Sequence, residues 1–204
     1  GKTHLIHAIG NQIVAQKNHA KVSYIRSEQF VNEMIKALRE RRMDDFKNYY
    51  RSLDALIIDD VQFFAQKNQS QEELFHTFNV LVENKKQIIL AADKVPNHMN
   101  GIEDRLRSRF GWGLTVKIDT PDFETRLAIL NDKADKVQLS LPYEVSQFIA
   151  DRIQTNIREL EGALHRLAAN SRLMRRSITL DMVQQSLHDL WTPRAPVTLE
   201  TIQK

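Results

Sequence analysis

The first residues of the chain could close a phosphate-binding loop. Gly1, Lys2 and Thr3 match the last three positions of the pattern GxxxxGK(S/T). In that pattern the lysine reaches the β- and γ-phosphates of a nucleotide, and the Ser or Thr hydroxyl ligates Mg²⁺. The earlier positions of the pattern are not in the sequence, so we expect the chain to be a fragment of a longer protein.

A second motif could supply a carboxylate to the same metal. Residues 56–60 read LIIDD, an apolar run that ends in Asp59 and Asp60. A buried parallel strand that delivers carboxylates to the ligand-binding edge of a sheet has this pattern, and its Asp completes the Mg²⁺ shell. The Gly-Lys-Thr tripeptide alone is equally consistent with an ordinary helix start. Together the two motifs predict binding of a nucleoside triphosphate with Mg²⁺.

Three arginines and a further carboxylate fall where they could respond to the nucleotide. Asp93 follows the apolar run 88–92, so a second strand should bring a carboxylate to the same edge. Arg105 and Arg109 are four apart on one face of a short helix, and Arg158 lies two residues after Asn156, which we predict to be a helix N-cap. Ordinary surface arginines are the alternative. Phosphoryl transfer needs positive charge at the γ-phosphate. An arginine in the lid could respond to bound nucleotide, and a protruding arginine could complete the site of a neighbouring subunit. Both roles favour assembly that depends on ATP.

Hydrophobic periodicity predicts the elements that would hold these residues. Strands are expected at 22–25, 56–59, 87–93 and 115–118, with a further strand before Gly1. Ser70 and Glu73 form a capping box at the start of one helix. The other helices are expected over 2–17, where Leu5, Ile6, Ile9, Ile13 and Val14 share a face, from Ser27, around Phe46, Tyr49 and Tyr50, and over 103–110. This order predicts a parallel α/β sheet with helices on both faces.

Only helices are predicted after the sheet. Thr120 is the expected N-cap of the first of them and Pro121 its first residue. Four apolar stripes, the last ending at Leu190, predict a small helical lid. We expect a nucleotide-binding α/β subdomain at 1–119, an all-α lid at 120–190, and a linker at 191–204 that leads to a further domain.

Composition excludes several classes of protein. The 204 residues include no cysteine, which excludes disulfides, thiolate nucleophiles and zinc-thiolate sites. No apolar run approaches the roughly 18 residues that span a bilayer, and no signal peptide is recognisable, so a cytoplasmic protein is expected. A net charge of +3 permits contact with nucleic acid or acidic lipid without arguing for either.

Four longer strings carry a resemblance to a known family. They are GKTHL at 1–5, LIIDDVQFF at 56–64, RLRSRFGWGL at 105–114 and NIRELEGAL at 156–164. They closely resemble the AAA+ domain of the DnaA family of bacterial chromosomal replication initiators, and the resemblance runs along essentially the whole chain. It implies the fold of an AAA+ P-loop NTPase, with a parallel sheet sandwiched by helices and followed by an all-α lid.

The resemblance implies roles in binding nucleotide and metal for residues of the first two strings. Lys2 and Thr3 would be the Walker A pair, with Gly1 and His4 also among the nucleotide-binding residues. Asp59 would be the Walker B metal carboxylate, so that Thr3 and Asp59 are the implied Mg²⁺ ligands.

Further implied roles concern hydrolysis and assembly. Asp60 would stand where many AAA+ ATPases have a water-orienting Glu, and its shorter side chain predicts slow hydrolysis, which suits a switch. Asp93 would be sensor 1 and Arg158 sensor 2. Arg109 would be an arginine finger that acts on the next subunit, with Arg105 in the same interface.

The family's partners follow from the resemblance as well. Members bind ATP or ADP, assemble as filaments on origin DNA in the ATP form, open the duplex, act with a replicative helicase and respond to acidic phospholipids. Single-stranded DNA would contact Ile35, Lys36 and Lys67, near Gln69, although a solvated helix face explains these residues too. Duplex recognition would belong to a C-terminal domain outside residues 1–204.

Two other functions stay open from the sequence. An AAA+ helicase loader would share the architecture without the C-terminal DNA-binding domain. A P-loop enzyme that phosphorylates a small molecule would have a substrate pocket in place of the arginine pair. The aromatic residues Phe46, Tyr49 and Tyr50 could stack on bases, but at helical spacing they are more typical of a core.

Overall fold

The computed structural model describes residues 1–154, 156–174 and 176–187. The chain divides into two compact units, Gly1–Ile118 and Asp119–Lys204. Among the described residues, no helix combines the length and the apolar character needed to cross a membrane.

The first unit contains three strands and five α-helices. In chain order the elements are α1 (Lys2–Gln16), β1 (Val22–Arg26), α2 (Ser27–Arg39), α3 (Met43–Arg51), β2 (Ala55–Asp59), α4 (Asn68–Glu83), β3 (Gln87–Leu90) and α5 (Asp104–Phe110). Short 3₁₀ helices lie at Val61–Phe64 and Pro96–His98. The strands are parallel in the order β1-β2-β3, so their carboxyl ends meet at one edge of the sheet.

The central strand explains where the sheet's core lies. All five residues of β2 are buried, as expected of a parallel strand covered on both faces. α2 and α4 pack on the sheet and α3 packs on these two helices, in a core that includes Phe30, Tyr50 and Phe64. α1 approaches β2 closely at Gly10, where a Cβ atom would lie 2.7 Å from Cδ1 of Ile57. Gly10 therefore allows the helix that follows the Gly-Lys-Thr motif to pack against the strand that carries Asp59.

Two expectations for the first unit are wrong. Residues 115–118 are not a strand, and their apolar residues Val116 and Ile118 are 64 % and 43 % exposed. An alternating pattern forms a strand only where a neighbouring strand pairs with it, and pairing is not a local property. α4 begins at Asn68, so Ser70 is inside the helix and Glu73 pairs with Arg51 rather than forming a capping box. The helix expected over 2–17 is present as α1; of its apolar residues Ile6 is buried, whereas Leu5, Ile9 and Val14 are exposed.

The aromatic residues of α3 divide between core and surface. Phe46 and Tyr50 are buried and pack against the ring of Phe30, whereas Tyr49 is exposed. The Tyr50 hydroxyl donates to Glu33, and burial together with this hydrogen bond strongly raises the pKa of Tyr50. The core interpretation is thus confirmed for two of the three rings.

The described residues of the second unit are helical. Its elements are α6 (Phe123–Lys136), α7 (Tyr143–Arg152), α8 (Ile157–Met174) and α9 (Leu180–Ser186). Their buried faces meet in one core that includes Leu130, Ile149, Leu164 and Val183. Leu190 and the expected linker at 191–204 lie outside the described residues.

The helix caps of this unit differ in part from expectation. α6 begins at Phe123, and its N-cap is Asp122, whose carboxylate accepts from the backbone N–H of Thr125. The expectation of Thr120 and Pro121 was therefore wrong, because Asp122 offers a stronger acceptor nearer the first buried residue. The prediction for α8 is confirmed: the side-chain oxygen of Asn156 accepts from the N–H of Glu159 at 3.0 Å.

Candidate functional site

A hydrogen-bonded cluster surrounds Asp59 at the carboxyl end of β2. Asp59 is only 4 % exposed. Its Oδ2 accepts from the Thr3 hydroxyl at 2.8 Å and from the Tyr24 hydroxyl at 3.2 Å, and its Oδ1 accepts from the N–H of Asp60 at 3.0 Å. Three donors compensate for the water that this carboxylate loses on burial. Burial and the negative charge of Asp59 together raise the pKa of Tyr24.

This cluster has the chemistry of a magnesium site. The Thr3 hydroxyl oxygen and the Asp59 carboxylate, 2.8 Å apart, are hard oxygen donors, and Mg²⁺ in nucleotide sites is held by one or two such groups with phosphate oxygens and water. Thr3 lies in the first turn of α1 and Asp59 ends β2. Helix and strand thus bring the two predicted Mg²⁺ ligands together, so the residues present fit the ion.

Lys2 lies beside this cluster, in the first turn of α1. Its ammonium donates to the backbone carbonyl of Ala92 at 2.6 Å, just beyond the end of β3. The N-terminus of α1 carries unpaired N–H groups and the positive end of the helix dipole, which attract phosphate. A phosphate held at this end of α1 would meet both the helix N–H groups and Lys2.

Asp60 has an unusual backbone conformation next to Asp59. Its φ and ψ of 56° and 49° lie in the left-handed region, which costs a non-glycine residue about 1–2 kcal/mol. Several contacts hold it there. Its carbonyl accepts from the Ser27 hydroxyl at 2.7 Å, its Oδ1 accepts from the Gln62 side-chain amide at 3.2 Å, and the next N–H, of Val61, donates to Ala91 at 3.0 Å. Strain of this kind is concentrated at functional sites.

Asp93 reaches the same edge of the sheet from a loop rather than from a strand. β3 ends at Leu90, so the expected strand over 87–93 is shorter than predicted. The N–H of Asp93 donates to the side-chain oxygen of Gln62 at 3.4 Å, and its side chain is exposed. The edge of the sheet therefore brings together the five predicted residues Lys2, Thr3, Asp59, Asp60 and Asp93.

Arg105 and Arg109, two of the three arginines of α5, lie over aromatic rings. The Arg105 guanidinium is 5.1 Å from the centre of the Phe75 ring and pairs with Glu103 at 2.7 Å. Arg109 lies 5.9 Å from the centres of both the Phe75 and Trp112 rings. Such cation–π contacts orient a guanidinium by its face and leave its N–H edges for other partners.

The other predicted site residues are on the surface. Gly1 and His4 are exposed at the start of α1, and Arg158 is exposed in the first turn of α8, in the second unit. Ile35 is 37 % exposed, Lys36 lies 4.0 Å from Glu40, and Lys67 is exposed before α4.

Sequence reasoning missed three side chains that contact the site residues. Tyr24 donates to Asp59, and Gln62 bonds both Asp60 and the Asp93 backbone. Phe75 lies beneath Arg105 and Arg109 of α5. Gln62 is in the string at 56–64, but no general motif assigns it a role. Tyr24 is 35 residues from Asp59, and only the register of β1 with β2 brings them together.

Comparison with known proteins agrees with this geometry. The family model described as the bacterial DnaA ATPase domain matches residues 1–117, and one described as the Hda lid domain matches residues 123–187. The chain belongs to the bacterial DnaA ATPase-domain family. It has the AAA+ fold, with a three-stranded parallel sheet in its first unit and helices in its second.

Solved structures of DnaA are similar along most of the chain. Domain III of the replication initiation protein DnaA from Thermotoga maritima is 38 % identical, with a TM-score of 0.90, and the match covers 95 % of this chain and 81 % of that one. AMPPCP-bound DnaA from Aquifex aeolicus is 36 % identical, with a TM-score of 0.77, covering 93 % and 57 %. A replication initiator DnaA bound to AMPPCP and single-stranded DNA is 38 % identical, with a TM-score of 0.73, covering 86 % and 55 %.

These matches bear on the alternatives. The chain spans little more than half the length of the two AMPPCP-bound relatives. Two of the similar DnaA structures are named as replication initiators, which favours the initiator over the helicase loader. Membership of the AAA+ DnaA family likewise argues against a small-molecule kinase.

Proposed function

We propose that this chain is the ATP-dependent switch of a chromosomal replication initiator. In this proposal ATP binding drives assembly of copies on origin DNA and opening of the duplex, and slow hydrolysis ends the active state. The observation that carries it is the cluster of Lys2, Thr3 and Asp59 beside Asp60 in a chain of the DnaA ATPase family. The nucleotide-binding, lid and linker roles of 1–119, 120–190 and 191–204 are parts of the same proposal.

Nucleotide binding would use the residues at the start of α1. Lys2 would turn its ammonium toward the β- and γ-phosphates, with the α1 N–H groups, Gly1 and His4 around them. Thr3 and Asp59 would hold Mg²⁺, which neutralises phosphate charge as the γ-phosphoryl group leaves. Two relatives with AMPPCP bound support a nucleotide site in this family.

Hydrolysis would depend on Asp60, Asp93 and three arginines. Asp60 would orient the attacking water, and its carboxylate, one methylene shorter than Glu and fixed in a left-handed backbone, would do so weakly. Asp93 would contact the γ-phosphate as sensor 1, and Arg158 would respond to the bound nucleotide as sensor 2. Arg109, with Arg105 beside it, would reach the nucleotide of a neighbouring subunit. The protein would then be a slow ATPase used as a switch.

DNA and other partners complete the proposal. A relative bound to single-stranded DNA supports a binding site for single-stranded DNA in this domain, and our candidates for it are the exposed residues Ile35, Lys36 and Lys67. The whole initiator, in the cytoplasm, would recognise duplex origin DNA and would bind the replicative helicase and acidic phospholipids.

The test is nucleotide-dependent assembly of the full-length protein. We expect it to form oligomers on single-stranded DNA, measured by analytical ultracentrifugation, with ATP but not with ADP. Lys2→Ala should abolish ATP binding and assembly. The matched control is Lys21→Ala, which removes an exposed lysine just before the opposite end of β1. Equal assembly with ATP and ADP, or wild-type ATP affinity in Lys2→Ala, would overturn the proposal.

A further inference from the structure

One peptide group connects the lysine of the phosphate site with the carboxylate expected to orient water. The carbonyl of Ala92 accepts from Lys2 Nζ at 2.6 Å. The N–H of the same peptide, on Asp93, donates to Gln62 Oε1 at 3.4 Å, and Gln62 Nε2 donates to Asp60 Oδ1 at 3.2 Å. Three hydrogen bonds thus run in series from Lys2 to Asp60 through the side chain of Gln62.

The position of Gln62 places its side-chain amide between Asp60 and the backbone of Asp93. Gln62 follows Asp60 by two residues in the 3₁₀ turn Val61–Phe64, and the N–H of Val61 fixes that turn to Ala91 at 3.0 Å. Its amide then faces Asp60 with its nitrogen and the Asp93 backbone with its oxygen. Hydrogen bonds in series polarise one another, so a change at one end alters the others.

The bond from Lys2 to Ala92 is the one that nucleotide would change. An ammonium that turns toward phosphate weakens or leaves its bond to the Ala92 carbonyl, and the peptide between Ala92 and Asp93 then loses its strongest partner. Gln62 bonds the other side of this peptide. A shift of the peptide therefore changes how Gln62 holds the Asp60 carboxylate.

We propose that Gln62 is a positioning residue that couples the Lys2 contact to the orientation of Asp60. It does not touch the nucleotide in this proposal. It sets the geometry of Asp60, so its loss slows hydrolysis without weakening nucleotide binding. The inference rests on the proposed function, because it assigns Asp60 to hydrolysis.

The experiment measures single-turnover hydrolysis of bound ATP, and the dissociation constant of ATP, in the full-length protein. We expect Gln62→Ala to slow hydrolysis by about tenfold, as for a lost orienting contact, with the ATP dissociation constant within about twofold of wild type. Gln62→Glu keeps the acceptor for the Asp93 N–H but loses the donor to Asp60, so it should slow hydrolysis by at least as much.

Two comparisons separate positioning from a merely structural role. Gln87→Ala removes the same side chain at the opposite end of the sheet, where its amide donates to Ile88, and should hydrolyse ATP at the wild-type rate. In an Asp60→Ala background, Gln62→Ala should slow hydrolysis no further, because the group that it positions is already gone.

The outcomes distinguish this inference from the proposed function. If Gln62→Ala hydrolysed ATP at the wild-type rate, this inference would be overturned but the proposed function would not. So would an equal loss of rate from Gln62→Ala with and without Asp60, because Gln62 would then act elsewhere. Absence of ATP hydrolysis in the wild-type protein would instead overturn the proposed function, and this inference with it.

Discussion

The carboxyl end of the sheet and the arginine-bearing helices are built in opposite ways. At the end of the sheet, Lys2, Thr3 and Asp59 are bonded to backbone or to each other at 2.6–2.8 Å. Arg109 of α5 lies over aromatic rings, and Arg158 of α8 is exposed in the other unit. In the proposed function, the residues at the end of the sheet would hold the nucleotide, and the arginines would engage when nucleotide or another subunit contacts them.

The largest expected effect comes from the prearranged region. Asp59→Asn keeps the shape of the side chain but removes the charge that would hold Mg²⁺, and metal stabilisation of the transition state is worth several kcal/mol. We therefore expect Mg²⁺-dependent hydrolysis to fall by about 10³-fold in a single-turnover assay. The amide also presents a donor where Thr3, Tyr24 and the Asp60 N–H need an acceptor, so the free energy of unfolding should fall by about 1–3 kcal/mol.

The control for Asp59 lies at the other end of the same strand. Asp54→Asn changes an equivalent carboxylate directly before β2, and it should leave hydrolysis at the wild-type rate. If Asp59→Asn retained Mg²⁺-dependent hydrolysis, the sheet edge would not be the metal site, and the contrast between the two regions would disappear.

The second effect concerns the arginines of α5. Arg109→Ala should leave the dissociation constant of ATP near wild type, because this guanidinium is not expected to contact the nucleotide of its own subunit. It should weaken ATP-dependent assembly by about 10²-fold, the scale of an interface hot spot. Sedimentation of the ATP form over a range of protein concentrations measures it.

Arg107→Ala is the matched control on the same helix. Arg107 pairs with Asp104, one turn earlier in α5, and its replacement should leave assembly unchanged. Loss of ATP binding in Arg109→Ala, with assembly otherwise normal, would show that Arg109 acts in its own subunit and would contradict the division between the regions.

A smaller effect is expected at Arg158. Because Arg158 is exposed and is proposed to respond to nucleotide, Arg158→Ala should slow hydrolysis by about tenfold or reduce the preference between ATP and ADP toward equality. Equilibrium binding of both nucleotides, with single-turnover kinetics, measures this. Arg152→Ala is the control, because that arginine lies over Phe148 at the end of α7. Unchanged turnover together with unchanged nucleotide preference in Arg158→Ala would argue against the sensor role.

The sequence predicted the residues of the sheet edge because their types recur at fixed distances from element ends. Lys2 and Thr3 open α1, and Asp59 ends β2, so motif and element boundary coincide. Asp93 was placed at the correct edge even though its strand ends three residues earlier than the predicted range. The positions of polar residues at the ends of parallel strands can therefore be predicted from the sequence without knowledge of the packing.

The supporting contacts could not be read in the same way. Tyr24, Gln62 and Phe75 act across the fold on residues of other elements, and a tyrosine, glutamine or phenylalanine has no motif that marks such a role. The wrong prediction of a strand at 115–118 has the same cause. An alternation of apolar and polar residues is a property of one segment, whereas a strand also needs a second segment to pair with. Local patterns identify the groups that do chemistry, and tertiary packing decides what holds them.

The smallest effect tests an electrostatic contact away from both regions. Before β2, Asp54 accepts from the Lys17 and Lys86 ammonium groups, both at 2.8 Å, and from the backbone N–H of Lys21 at 3.0 Å. These hydrogen bonds, with Lys17 the largest contributor, hold the pKa of Asp54 well below its ordinary value of 3.8. The folded state favours the charged carboxylate, so its stabilisation is present above pH 3.8 and is lost as the pH falls toward the depressed pKa.

Asp54→Asn should therefore lower Tm by no more than a few degrees at pH 7, because Asp54 and its lysines lie partly open to solvent, where ion pairs contribute little and are screened by salt. Thermal unfolding followed by circular dichroism should show the gap between Asp54→Asn and wild type narrowing as the pH is lowered below 3.8. Raising the ionic strength at pH 7 should narrow it as well. A gap that is constant with pH would mean that the carboxylate stabilises the fold through its shape and neutral hydrogen bonds rather than through its charge.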